Sequence, residues 1–94
     1  MFILSLRYIV PMEEVEPHVP AHMEWLEKFY EAGLFLASGR KVPRTGGVIL
    51  ARVDRAALDA CVSEDPFAIH GVAEYEVTEF APTRAVAGLD LLLK

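Results

Sequence analysis

The sequence predicts an α+β fold in which four antiparallel strands and two helices follow the order β-α-β-β-α-β, both helices covering one face of the sheet. Three observations carry this reading. The chain has 94 residues, which suits one domain over 1–94 and leaves no room for a second core. Its apolar residues change period from two to about 3.6 and back again, twice along the chain. Proline and glycine stand near most of the changes, where a chain must turn.

Phe2, Leu4, Leu6, Tyr8 and Val10 alternate with Ile3, Ser5, Arg7 and Ile9, so the first element is a strand that Pro11 ends. Glu13, Glu14 and Glu16 then read as a loop cluster. From Pro20 to Ala32 the pattern is helical, with Pro20 in the first turn and Gly33 just past the last. Residues 34–39 and 48–53 are short apolar runs that read as a strand pair, joined by a loop containing Pro43, Gly46 and Gly47. Asp54 is suited to cap a helix over 55–63, on which Leu58, Cys61 and Val62 share one face. Ala73, Tyr75 and Val77 alternate with Glu74, Glu76 and Thr78, a final strand with one wet face that ends near Pro82. This order is that of a ferredoxin-like domain.

Composition narrows the function. The chain is 53% hydrophobic and carries 9 Lys+Arg against 14 Asp+Glu, a folded and mildly acidic profile that speaks against nucleic acid as a partner. The single cysteine, Cys61, has no internal partner for a disulfide, so a cytoplasmic setting is the expectation. The apolar start is short and interrupted by Arg7, so neither a signal peptide nor a membrane span is expected there. So much apolar surface in so small a chain predicts a homodimer. The open sheet face, with Ile3, Ile9 and one side of 48–53, is the expected contact, and Leu89, Leu91, Leu92 and Leu93 of the tail are a further candidate.

On a helical wheel His22 falls at the middle of the apolar stripe of the first helix, among Met23, Leu26, Phe29 and Tyr30, with Glu24, Glu27, Lys28 and Glu31 opposite. An imidazole there needs hydrogen-bond partners. One possibility is a structural histidine bonded to a carbonyl. The other is a proton carrier whose tautomer a carboxylate fixes, and Asp65 is the candidate carboxylate. Pro66 pushes Asp65 out of helical backbone, so capping of a short turn is its alternative role. His18 and His22 stand four apart, but Pro20 lies between them and no third ligand is evident, so no metal site is predicted. No cofactor fingerprint or nucleophile motif is present, so no cofactor is expected. Residues 32–53 contain no acidic residue yet hold Arg40, Lys41, Arg44 and Arg52, a stretch that an anion can find. Ser38, Gly39 and Arg40 are candidate substrate contacts, and Arg7 on the open strand face is another.

The segments Val19-Pro20-Ala21-His22-Met23-Glu24-Trp25-Leu26, Gly33-Leu34-Phe35-Leu36-Ala37-Ser38-Gly39, Gly46-Gly47, Asp65-Pro66-Phe67 and Gly71-Val72 together resemble the YciI-like (YCII-related) family in order and spacing. The resemblance implies a ferredoxin-like domain that pairs through its sheets into a dimeric α/β barrel. It also implies that His22 and Asp65 form a catalytic pair beside a pocket between helices and sheet. Arg40 stands where the family often has proline after the glycine. The expected function is a small-molecule enzyme using His22 and Asp65 for general acid/base chemistry, namely elimination, isomerisation or hydrolysis of a small anionic or aromatic substrate. The alternative is a noncatalytic dimer that binds a small ligand.

Overall fold

The computed structural model describes residues 1–93. Strand β1 (Phe2–Tyr8) is followed by a one-turn helix α1 (Met12–Val15), a 3₁₀ turn (Glu16–His18) and the long helix α2 (Val19–Glu31). Strands β2 (Phe35–Arg40) and β3 (Gly46–Ala51) form a hairpin. Helix α3 (Arg55–Ser63), the one-turn helix α4 (Pro66–Ile69) and strand β4 (Ala73–Glu79) complete the domain, and a 3₁₀ turn (Asp90–Leu93) lies in the tail.

The four strands form one antiparallel sheet in the order β2-β3-β1-β4, the ferredoxin-like arrangement. Phe2 and Leu4 of β1, Ile49 and Ala51 of β3 and Phe35 of β2 point to the helical side, where they meet Trp25, Leu26 and Phe29 of α2 and Leu58 and Cys61 of α3. The opposite side carries Ile3, Ser5 and Arg7 beside Leu50 and Val48 of β3 and Thr78, Glu76 and Glu74 of β4. Ile3 and Val48 there are 37% and 39% exposed, which leaves the apolar strip of this face uncovered in the single chain.

Local chemistry accounts for the boundaries. Asp54 caps α3 by accepting from the Ala57 N–H at 2.8 Å, and Gly33 takes the left-handed conformation after α2 with φ of 76°. Gly46 is dictated by a close approach, because a Cβ there would lie 1.8 Å from the Leu6 carbonyl oxygen. Residues 12–18, expected as a loop, are instead helical. No side-chain cap starts either short helix there, so the usual sequence signal is missing; Val15, completely buried, anchors the segment. Met23, expected within the apolar stripe, is 56% exposed. The tail turns back on its own chain, where Arg52 Nη1 donates to the Leu91 carbonyl at 3.4 Å.

Candidate active site

The site is assembled where the start of α2 meets α4 above the sheet. His22 lies one turn into α2 and its side chain is 12% exposed, while the Asp65 side chain at the start of α4 is fully buried. His22 Nδ1 and Asp65 Oδ1 are 2.7 Å apart. Asp65 makes both contacts at once, because Oδ1 also accepts from the Phe67 N–H at 3.0 Å and so caps α4. Oδ2 accepts from the Tyr75 hydroxyl on β4.

These three donors decide the tautomer. With Tyr75 and the Phe67 amide already donating to the carboxyl oxygens, Asp65 acts as an acceptor on every side, and Nδ1 of His22 must be the donor. The lone pair of the neutral ring is then on Nε2. Among the described residues no buried side-chain nitrogen or oxygen lacks a partner, and Nε2 makes no bond within the chain, so it must be open to the space beside it. The ring is held flat as well, stacked on Phe67 with centroids 3.9 Å apart and planes within 8°.

The space beside it is a cavity of about 240 Å³ lined by His22, Met23 and Leu26 of α2, Leu6 and Tyr8 of β1, and Phe67 of α4. It is slightly smaller than the roughly 300 Å³ lower end of common ligand pockets and suits a molecule of one ring. Ser38, Gly39 and Arg40 line its other wall together with Arg44. Their placement follows from a one-residue β-bulge: Phe35 pairs with Ala51, but Ala37 pairs with Leu50 and Ser38 with Ile49. The extra residue inverts the alternation, so Ser38 and Arg40 share the helical side with Phe35 instead of facing away. Ser38 is accordingly bonded to Tyr30 of α2, Oγ to hydroxyl 2.6 Å.

The structure therefore brings His22, Asp65, Ser38, Gly39 and Arg40 together. Arg7 is placed elsewhere, on the open side of the sheet in an ion pair with Glu74. Two groups at the site were not singled out as candidates by the sequence. Arg44 was indistinguishable from a solvated loop residue, and Tyr75 looked like an ordinary inward strand residue. The signal for Tyr75 was its hydroxyl, since an inward-facing tyrosine needs a polar partner. Burial, followed by the nearby Asp65 charge, pushes the Tyr75 phenol far above the usual range, so it stays a donor. His18 is half-buried and stacked on His70 with centroids 4.1 Å apart. Among the described residues no three His, Cys, Asp or Glu side chains converge as a metal site.

Fold and site define a ferredoxin-like domain with an oriented histidine at the mouth of a small cavity. The YCII-related domain matches residues 1–81, and the chain belongs to that family. Among solved structures it is similar to 5-chloro-2-hydroxyhydroquinone dehydrochlorinase (TftG) from Burkholderia phenoliruptrix, in complex with 2,5-dihydroxybenzoquinone. That likeness has a TM-score of 0.70 at 18% identity and covers 85% of this chain and 93% of the other, which establishes a shared fold. No curated protein matches the sequence significantly.

Proposed function

We propose that the protein is an enzyme that moves a proton on a small, one-ring organic anion, with Nε2 of His22 as the general base and then acid, and Asp65 as the group that orients and electrostatically supports the ring. The observation that carries this is the 2.7 Å contact between His22 Nδ1 and a fully buried carboxylate, which leaves Nε2 facing the cavity. A histidine serving packing alone has no need of an open nitrogen. Arg40 and Arg44 at the cavity wall have no carboxylate partner among the described residues, and no acidic side chain lines the cavity, so an anionic substituent is accommodated there.

Elimination fits this set of groups best. Nε2 takes a proton from the substrate, the electron pair released moves through the ring, and the leaving group departs with the bonding pair as an anion. No outside oxidant or reductant is required. The dehydrochlorinase of similar fold supplies the probe. Chloride release from 5-chloro-2-hydroxyhydroquinone, followed together with the ultraviolet spectrum, is expected to be catalysed and to fall about 10²- to 10⁴-fold in His22→Ala and Asp65→Asn, with circular dichroism unchanged. Full turnover in both variants on any substrate of the wild-type protein would rule the pair out. Binding of 2,5-dihydroxybenzoquinone without conversion of any halogenated or hydroxylated ring would favour the ligand-binding reading. We further propose that the uncovered sheet face, with Ile3, Val48 and Leu50, joins two copies into a homodimer.

A further inference from the structure

Nothing in the acid/base reading by itself requires Tyr75, yet the structure places its hydroxyl on the oxygen of Asp65 that faces away from His22. A carboxylate that bonds only through Oδ1 is free to swing about its terminal torsion, which is broad and roughly two-fold. Here Oδ1 is fixed by two N–H donors and Oδ2 by a third group coming from the sheet, so the carboxyl plane is pinned from α2, α4 and β4 together. Tyr75 reaches this point because its strand partner is Leu6, one of the residues lining the cavity floor.

We infer that Tyr75 is a positioning residue of the site: by donating to Asp65 Oδ2 it locks the carboxylate toward His22 Nδ1 and draws charge away from the Oδ1 end, leaving Nε2 as an unprotonated base toward the cavity. The inference rests on the proposed role of His22, but its physical content is a coupling between Tyr75 and the His22–Asp65 pair that exists without substrate. The direction of that coupling is fixed by electrostatics. A donor on the carboxylate favours the state of the pair that holds one proton fewer, so its removal makes the pair hold its proton to higher pH, and a stronger donor does the reverse.

The test uses two replacements in the full chain, read by NMR titration of the His22 ring. Tyr75→Phe deletes the donor while keeping the ring. Replacement of Tyr75 by 3-fluorotyrosine keeps the hydroxyl, makes it more acidic and preserves the shape, so it serves even if the phenylalanine variant folds poorly. The titration midpoint is expected to move up in Tyr75→Phe and down in the fluorinated protein. Midpoints that stay where they are, or that move in the same direction in both proteins, overturn the inference. If His22→Ala retains full turnover while the opposite shifts are seen, the acid/base reading fails and the coupling stands; the converse pair of results fails the coupling alone.

Discussion

At the scale of single residues the site was half legible. His22 announced itself by standing where a helix of this pattern wants an aliphatic side chain, and the structure gives the reason, an imidazole that is 12% exposed with one nitrogen committed and one open. Asp65 was legible as a cap by its place before Pro66, but no spacing rule connects positions 22 and 65; their contact is made by the packing of α4 on α2. Tyr75 was hidden by its own regular alternation. Its environment and that of Cys61 lead to a pH prediction. Burial, with the nearby Glu64 and Asp65 charges adding to it, pushes the Cys61 thiol up to about 12 from an ordinary value of 9.0, and the Tyr75 phenol is raised more strongly still, from 10.0. In both groups the folded form keeps a proton that the unfolded form releases, so the contribution is complete below the unfolded values and is lost as pH rises. Urea unfolding is expected to show stability declining from about pH 9 upward, with Cys61 unreactive toward thiol reagents in the folded protein. A flat profile from pH 9 to 11 would contradict the burial of these groups.

The secondary-structure elements follow the same division. Elements with a signal in their own residues were read correctly: the alternating strands, the Asp54-capped α3, and α2 with its terminal Gly33. The short helix α1 and the 3₁₀ turn after it lack side-chain caps and exist because Val15 is buried against the core, a tertiary cause that local pattern does not report. The bulge in β2 is the element-scale feature with most consequence for function. Residues 34–39 look like an uninterrupted apolar run, and nothing in them marks the extra residue that turns Ser38 and Arg40 toward the cavity. Deleting Leu36 is expected to restore simple alternation and rotate both side chains to the other sheet face. Isothermal calorimetry with a one-ring anion that the wild-type protein binds should then show affinity reduced by about tenfold in a protein whose far-ultraviolet circular dichroism is retained. Unchanged affinity would mean that Ser38 and Arg40 are not ligand contacts.

For the whole molecule, the apolar surplus evident from composition is divided between one core on the helical side and a strip on the far side of the sheet. Fold class, the order of elements along the chain and the helical layer were all readable, because each depends on periodicity that the chain displays openly. Pairing of two sheets is the proposal that this surface arithmetic supports, and it carries its own test. Sedimentation equilibrium is expected to give twice the mass of the chain, and Ile3→Glu, which places a charge in the centre of the strip beside Leu50 and Thr78, is expected to shift the protein toward monomer. A wild-type protein that sediments as a monomer at micromolar concentration would remove the dimer.

The site itself turns on where one proton resides. Protein labelled with ¹⁵N-histidine, observed by long-range ¹H–¹⁵N correlation at a pH where the ring is neutral, reports that position directly. His22 should show a protonated Nδ1 and a bare Nε2, with the tautomer preference lost in Asp65→Asn. A His22 ring protonated on Nε2, or one indifferent to Asp65, would contradict the assignment of this histidine as an oriented base.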